Sequence, residues 1–455
     1  MDLNHLVMGK QEELLSCLQE NLRIPSVEGT AVYGAPYGIE VRRSLDHVLA
    51  TAEKLGFRTC NVDSHIGWCE YGEGDEMVAV LGHLDVVPAG DGWSFDPWGG
   101  EIRGDRIFGR GTMDDKGPSI AAMFALKALQ ESGLPIRRRI RILFGCNEET
   151  GAQDVKYYLD HGGEIPVMGF TPDAEFPCIH GEKGIINAHC SRSFVQSGEL
   201  KLKYIQGGTA PNVVPNYAKA ELVCRGDLAK SIAATIIDKV TFTLTDAGVL
   251  VEAEGENAHG STPWKGENAI GRLVLALNTL PFTGELADIL RFLGEKLGMD
   301  TIGKATGIHL WDEPSGDLSL NWGSLNADES SLSLIVNYRY PVTFEFADCG
   351  PAFQALFEGF GFTVNQVHKE KLYIPADSEL VKTLLKVYKD HTGIDGKPVC
   401  IGGGTYAKCL PNILAFGPIF PGDEVREHKP DEFMEIPKLM KNAQIIASAM
   451  YEMAK

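Results

Sequence analysis

The chain has 455 residues, 44% of them hydrophobic and 23% charged, so it is long enough for two or three domains with cores of their own and is not a disordered sequence. Its formal net charge of −20 repels phosphate groups and anionic lipids, which argues against nucleic-acid and membrane partners. The ten cysteines include no C-x-x-C pair, and residues 1–22 are typical of an amphipathic helix rather than a signal peptide or a membrane span. We therefore expect reduced thiols and a cytoplasmic protein.

Short apolar strands alternate with helical patterns along the first 180 residues. After a helical stretch over 42–57, the predicted elements in chain order are a strand over 77–83, a helix over 118–133, a strand over 139–145, a helix over 154–163 and a strand over 167–171. Pro118 and Gly133 mark the two ends of the helix over 118–133. The alternation predicts an α/β fold with a doubly wound mixed sheet flanked by helices.

The middle of the chain has a different pattern. From about residue 183 to 380, alternating apolar and polar segments predict strands, with helical stretches between them. An α/β pattern returns with a helix near 378–393 and a strand near 412–420. The sequence thus predicts one domain formed by residues 1–182 and 381–455, with an α+β domain of residues 183–380 inserted into it.

Polar side chains of a restricted chemistry stand at the ends of the predicted strands. In an open α/β sheet, ligands bind in the crevice outside the carboxyl ends of the strands. Carboxylates gathered there repel one another, and a divalent cation would relieve the repulsion. Histidine with carboxylates is a ligand set that suits zinc or manganese. The residues concerned are His83, Asp114, Asp115, Glu148, Glu149 and Asp173.

Each of these residues taken alone has a simpler interpretation. A histidine at a strand end is usually a hydrogen-bonded structural residue, and acidic residues before a helix usually cap it. Their occurrence at four successive strand ends favours a metal site over coincidence. His83 is then a ligand, and Asp85 is the carboxylate that orients its ring. The residues alone do not distinguish Asp114 from Asp115 as the second ligand.

Five segments together resemble a known family: GHLDVVP, GRGTMDDKGP, NEETG, FTPDAEFP and REHKPDE. Their order and spacing are similar to those of the co-catalytic metallopeptidase family of aminoacylase, succinyl-diaminopimelate desuccinylase and carnosinase, and most similar to its bacterial dipeptidase V branch. The resemblance covers nearly the whole chain. It implies that residues 1–182 and 381–455 form a catalytic domain and that residues 183–380 form a lid.

The resemblance also implies two divalent metal ions per chain, Zn²⁺ or Mn²⁺. It gives one metal to His83 and Asp173 and the other to Glu149 and His428, with Asp114 as the bridge. Glu148 would then be the general base, and later the general acid, for a hydroxide held between the metals.

The inserted segment and the glycine-rich segment after it supply four further candidates. His259 matches the lid histidine that donates to the developing oxyanion in this family. Asn212 is a candidate substrate contact or a simple turn residue. Arg339 is a candidate clamp for a substrate carboxylate or a charge on the sheet surface. Gly403 lies in IGGGTYAKC, which lacks the spacing of a phosphate loop and therefore favours a close backbone approach to substrate.

We therefore expect a metallo-dipeptidase that hydrolyses unblocked dipeptides and has small peptides as its partners. An N-acyl amino acid deacylase with the same metals is the alternative, followed by a binding protein that has lost turnover. The presence of Glu148 beside all five ligands argues against a binding protein. The enlarged lid could supply His259 within the same chain, which favours a monomer.

Overall fold

The computed structural model describes residues 2–455, which form two compact units. Unit 1 comprises the described residues up to His180 together with residues 374–399 and 404–455. Unit 2 comprises residues 181–373 and the short segment 400–403. Each unit has a hydrophobic core of its own. Residues 400–403 therefore belong to unit 2, although the residues on both sides of them belong to unit 1.

Eleven α-helices lie within the described residues. In chain order they are α1 Leu3–Met8, α2 Gln11–Leu22, α3 Ile39–Lys54, α4 Lys116–Ser132, α5 Gln153–Asp160, α6 Gly226–Ala233, α7 Ala269–Leu277, α8 Glu285–Lys296, α9 Gly350–Gly359, α10 Glu379–Thr392 and α11 Ile436–Ala454. Short 3₁₀ helices span Pro263–Lys265, Phe346–Asp348 and Tyr406–Cys409.

The strands of the described residues are also given in chain order. They are β1 Arg58–Val62, β2 Ile66–Tyr71, β3 Met77–His83, β4 Glu101–Arg103, β5 Arg106–Phe108, β6 Arg139–Gly145, β7 Met168–Thr171, β8 Ala174–Glu175, β9 Ile179–Glu182, β10 Gly184–Ser193, β11 Lys201–Gly207, β12 Tyr217–Val223, β13 Val240–Leu244, β14 Gly248–Glu254, β15 Trp311–Asp312, β16 Gly316–Asp317, β17 Ser319–Ala327, β18 Ser331–Tyr340, β19 Thr363–Lys369, β20 Leu372–Tyr373, β21 Val399–Ile401, β22 Ile413–Ala415, β23 Pro418–Ile419 and β24 Phe433–Glu435.

The main sheet of unit 1 has the order β1-β2-β6-β3-β7-β22. Strand β3 is parallel to both β6 and β7, whereas β2 is antiparallel to β6, so the predicted mixed sheet is confirmed. All seven residues of β3 are buried, as expected for a central strand of a parallel sheet. His83 pairs with Gly145 at the end of β6, so these parallel strands finish at one edge of the sheet.

The predicted helices of unit 1 are present, with one difference. The helix predicted over residues 1–22 is two helices, because α1 ends at Met8 and α2 begins at Gln11 with two glutamates in its first turn. Helix α4 has Asp115 at its N-cap position, Pro118 in its first turn and Gly133 in the left-handed conformation at its end. Most residues of α4 are buried.

The main sheet of unit 2 is antiparallel, with the order β13-β14-β12-β11-β17-β18-β10-β19. Its strands β11, β12 and β18 lie in the middle of the chain, where the sequence predicts strands. Helices α6, α7, α8 and α9 contribute buried side chains to the same core.

Seven of the ten cysteines are buried, and the other three are partly buried. Among residues 2–455, no helix has both the length and the apolar character needed to cross a membrane.

Candidate metal centre

Five side chains of unit 1 converge in two groups that share one carboxylate. His83, Asp114 and Asp173 form one group, and Asp114, Glu149 and His428 form the other, with the ligand atoms of each group within 4.8 Å of one another. Asp114 turns one oxygen to each histidine, at 3.0 Å from His83 Nε2 and 2.9 Å from His428 Nε2. Asp173 lies 3.7 Å from His83 Nε2, and Glu149 lies 3.2 Å from His428 Nε2.

The sheet explains why these residues meet. His83 is the last residue of β3, Glu149 follows β6, and Asp173 follows β7, so all three lie beyond the carboxyl ends of adjacent parallel strands. Asp114 comes just before α4, and His428 lies in the loop that precedes β24 with a positive φ of 58°.

The ring of His83 is oriented for a ligand at Nε2. Its Nδ1 lies 2.9 Å from the backbone carbonyl oxygen of Asp85, which can only accept a hydrogen bond, so Nδ1 carries the proton. Nε2 is left with a lone pair and makes no hydrogen bond of normal geometry with the described residues. The Oε1 atom of Glu149 is a second buried atom without a hydrogen bond among them. A cation would satisfy both atoms, so the residues fit a metal site.

Without a cation, burial and mutual repulsion disfavour the charged form of most carboxylates of the centre. Burial raises the pKa of Glu148 well above its usual range, and nearby Asp173 and Asp114 raise it further. Burial also raises the pKa of Asp173 and of Glu149. It acts on Asp114 in the same way, but the two histidines beside this carboxylate outweigh it and hold the pKa of Asp114 well below its usual range. A divalent cation would favour the ionised form of every one of these groups.

Asp85 contacts both the His83 ring and the turn at Glu148 and Glu149, and it uses its backbone carbonyl for the first and its carboxylate for the second. Its backbone carbonyl is the nearer acceptor for the His83 ring, whereas its carboxylate oxygen lies 3.5 Å from Nδ1. The two carboxylate oxygens instead accept the backbone N–H groups of Glu148 at 3.2 Å and Glu149 at 3.1 Å. Asp85 therefore fixes the turn that presents both glutamates.

Asp115 lies outside both groups. Its Oδ2 accepts hydrogen bonds from the backbone N–H of His83 at 3.1 Å and from the hydroxyl of Ser119 at 2.9 Å. Of these two adjacent aspartates, Asp114 belongs to both candidate groups and Asp115 to neither.

A buried ion pair supports the Asp114 loop, and sequence reasoning missed it. Glu432 accepts the backbone N–H groups of Gly111, Met113 and Asp114 through one oxygen. Its other oxygen lies 2.6 Å from the guanidinium of Arg110, and both side chains are almost fully buried. Both residues lie within the quoted motifs, but a charged residue in a loop carries no pattern that reveals such a role.

Tyr406 and Asp154 form a second support that sequence reasoning missed. The hydroxyl of Tyr406 donates to Asp154 at 2.5 Å, and the Tyr406 ring contacts the His83 ring edge to face with centroids 5.9 Å apart. The sequence presents Asp154 only as part of a helical pattern, and Tyr406 only as part of the glycine-rich segment.

The remaining candidates lie in unit 2. Asn212 and His259 are exposed, and their segments are joined because Gly260 donates its N–H to the backbone oxygen of Asn212 at 2.7 Å. At Gly403 an added Cβ would meet only one side-chain atom, at 3.6 Å, so the close backbone approach in this segment lies at Gly402 instead. A contact between Gly403 and substrate stays a prediction.

Arg339 is a buried cation without a carboxylate partner among the described residues. It is 3% exposed, so the interpretation of it as a charge on the sheet surface is wrong. Its guanidinium donates to the carbonyl oxygen of Gly402 at 2.5 Å and to the side-chain oxygen of Asn337 at 3.1 Å. Burial lowers its pKa to about 10. Buried charges are normally paired, so this guanidinium is suited to an anionic group from outside the chain.

Comparison with known proteins identifies the family. Residues 79–452 match the model of peptidase family M20/M25/M40. The chain belongs to this family. Across its length, this M20 peptidase is 39% identical to "Putative dipeptidase YtjP" of Bacillus subtilis, over 99% of each chain. It is 34% identical to the beta-Ala-Xaa dipeptidase of Lactobacillus delbrueckii, over 100% of this chain and 99% of the other. The resemblance drawn from the five segments is therefore confirmed.

Solved structures share the fold of this M20 peptidase. The aminoacylhistidine dipeptidase of Vibrio alginolyticus matches with a TM-score of 0.60 and 14% identity, over 97% of each chain. Human carnosine dipeptidase 1 matches with a TM-score of 0.55 and 15% identity, over 99% of this chain and 98% of the other. The α/β architecture predicted from the sequence is thus confirmed.

Proposed function

We propose that this M20 peptidase is a metal-dependent dipeptidase that hydrolyses unblocked dipeptides. The observation that carries the proposal is the pair of histidine and carboxylate groups that share Asp114. One carboxylate shared by two such groups is the arrangement used by hydrolytic sites with two metals. The name of the Lactobacillus relative, a beta-Ala-Xaa dipeptidase, supports a dipeptide as the substrate.

The proposed metals are two divalent cations. We assign the first to His83, Asp114 and Asp173, and the second to Asp114, Glu149 and His428. Bound there, such cations supply an activated water and polarise the scissile carbonyl group. Imidazole nitrogen with carboxylate oxygen favours zinc or manganese over calcium or magnesium.

Glu148 is the proposed proton carrier. It belongs to neither ligand group, while its neighbour Glu149 belongs to one. Asp85 accepts its backbone N–H, and its carboxylate lies close enough to Asp173 and Asp114 to interact with them electrostatically. Burial raises its pKa, and this lets it keep the proton of the attacking water until the leaving amine takes it.

Two side chains of unit 2 are proposed to act on the substrate. His259 would donate a hydrogen bond to the carbonyl oxygen as negative charge develops there. Arg339 would bind the C-terminal carboxylate, because it is buried and no described carboxylate pairs with it. The exposed amide of Asn212 is a further proposed contact. Since one chain carries all three, we propose that the enzyme works as a monomer, which light scattering after gel filtration tests.

The alternative activity is hydrolysis of N-acyl amino acids, which would use the same metals and the same glutamate. The test is to remove metal from the purified protein with a chelator, restore zinc or manganese, and compare Ala-Ala with N-acetyl-alanine and N-succinyl-alanine. We expect hydrolysis of Ala-Ala that depends on added metal and at least tenfold lower kcat/KM for both acylated substrates. Preference for an acylated substrate, or activity unchanged by chelation, would overturn the proposal.

A further inference from the structure

The imidazole of His259 is held by the residue two positions later. Its Nδ1 lies 2.6 Å from the hydroxyl oxygen of Ser261 and 3.3 Å from the backbone nitrogen of the same residue. A backbone N–H can only donate, so Nδ1 of His259 is an acceptor here. The proton of the neutral ring must then be on Nε2, and the Ser261 hydroxyl donates to Nδ1 as well.

The backbone around His259 keeps this geometry in place. Thr262 donates its N–H to the carbonyl of His259 at 2.9 Å, which closes a turn over residues 259–262. The turn is tied to the segment before β12, because Val214 donates its N–H to the carbonyl of Ala258 at 2.8 Å. Pro263 then begins a 3₁₀ helix. The Ser261 hydroxyl is therefore presented to the ring by an ordered turn.

The environment favours the neutral form of this ring. The His259 side chain keeps an exposed face, but partial burial of the ring lowers its pKa, and the positive charge of Arg339 lowers it further. A neutral ring has only one N–H, so the position of that proton decides whether Nε2 can donate.

Gly402 connects Ser261 to the proposed carboxylate clamp. An added Cβ at Gly402 would lie 2.6 Å from the Cβ of Ser261, closer than real atoms approach. The carbonyl oxygen of the same glycine accepts a hydrogen bond from Arg339. A side chain at position 402 would therefore displace Ser261, Arg339 or both.

We propose that Ser261 is a positioning residue that holds His259 in the tautomer with its proton on Nε2, and that Gly402 lacks a side chain because Ser261 occupies that space. The inference rests on the proposed function, in which His259 donates a hydrogen bond to the oxyanion. Ser261 touches neither substrate nor metal in this scheme. It acts only through the ring of His259.

The direct test is ¹⁵N NMR of the metal-loaded enzyme labelled at histidine, with His259 assigned from the signals lost in His259→Gln. We expect an unprotonated Nδ1 and a protonated Nε2 at pH 7 in the natural protein. Ser261→Ala keeps only the longer contact of 3.3 Å from the backbone N–H, so it should give a mixture of tautomers, and Ser261→Thr, which keeps the hydroxyl, should restore the single form. Thr262→Val is the matched control, since no hydrogen bond of the Thr262 side chain caps the helix that follows it.

Kinetics add a second readout. Ser261→Ala should lower kcat for Ala-Ala by roughly 3- to 10-fold, the range expected from one hydrogen bond, with KM nearly unchanged. Gly402→Ala should shift the tautomer signals, whereas Gly404→Ala should not, because the nearest atom to an added Cβ there is 3.5 Å away. If Ser261→Ala does not fold, Gly402→Ala and Ser261→Thr still test the inference.

Failure of this inference is distinguishable from failure of the proposed function. The NMR signals of His259 are independent of turnover, so a protein that prefers acylated substrates would overturn only the dipeptidase proposal. A protonated Nδ1 in the natural protein would overturn the inference even if Ala-Ala is hydrolysed. An unchanged tautomer and an unchanged kcat in Ser261→Ala would overturn it as well.

Discussion

Asp85 and Asp154 divide between them the backbone N–H groups of residues 146–149. Asp154 accepts those of residues 146 and 147, at 2.6 and 3.0 Å, through one oxygen. Asp85 accepts those of Glu148 and Glu149, one on each oxygen. The turn that carries the proposed base and one proposed ligand is therefore held by two buried carboxylates, and its geometry does not depend on the metals alone.

Asp85→Ala should show how far the turn depends on the Asp85 carboxylate. The change leaves two partly buried N–H groups without their acceptor, so the turn should relax. We expect kcat to fall by roughly 10- to 100-fold and metal affinity to weaken by a similar factor, as for other residues that hold metal ligands in place. Kinetics and metal titration by calorimetry measure both. Natural activity in this variant would mean that the turn needs no such support.

Glu148→Ala should abolish most activity without loss of metal. Glu148 is assigned proton transfer and belongs to neither ligand group, so turnover should fall about 100-fold or more while two metals stay bound. Metal analysis of the purified variant accompanies the kinetics. If turnover stays near that of the natural protein, another group carries the proton.

Asp114→Ala and Asp115→Asn form a matched pair of adjacent changes. Asp114 belongs to both ligand groups, so its loss should remove metal and activity together. Asp115 contacts only His83 N–H and Ser119 in this loop, so Asp115→Asn should retain both metals. The opposite pattern would show that Asp115 is the bridging ligand.

The raised pKa of Asp154 predicts that the free energy of unfolding depends on pH. Burial and nearby Asp85 raise its pKa to about 6, against hydrogen bonds that lower it. Because the folded-state pKa lies above the ordinary value of 3.8, the stability that this group contributes is fully present below about pH 3.8 and is lost as the pH rises through about 6.

The variant Asp154→Asn cannot titrate and isolates this effect. In metal-free protein, the free energy of unfolding of the natural chain minus that of the variant should fall between pH 4 and 7, by up to about 3 kcal/mol. Urea unfolding at several pH values measures the difference. A constant difference across this range would mean that Asp154 titrates alike in the folded and unfolded chains.

The sequence predicts the parts of the centre that follow strand ends, and the fold explains why it could. His83 and Asp173 are placed by parallel strands whose carboxyl ends coincide. Short apolar runs that alternate with helical patterns predict such strands. Glu432 lies in a loop and Tyr406 in a short 3₁₀ helix, both far along the chain from the residues that they support, so no local sequence pattern indicates their roles. The sequence predicts that the carboxylate of Asp85 orients the His83 ring, whereas its backbone carbonyl is the nearer acceptor. Sequence spacing does not fix which atoms of a loop residue point inward.

Substrate length is predicted to depend on Arg339. The scissile carbonyl must lie at the metal centre, and a clamp on the C-terminal carboxylate would sit one residue beyond it. A dipeptide meets both requirements, whereas a C-terminal amide or a longer peptide loses the charge-assisted hydrogen bonds, a class worth about 1.5–3 kcal/mol or roughly 10- to 100-fold in kcat/KM. We expect natural enzyme to prefer Ala-Ala over its amide and over tetra-alanine by at least that factor. Arg339→Ala should lose activity on Ala-Ala and discriminate little between the acid and the amide, because the group that reads the charge is gone. If the arginine variant still prefers the free acid, the carboxylate is read by another residue and the length limit has a different origin.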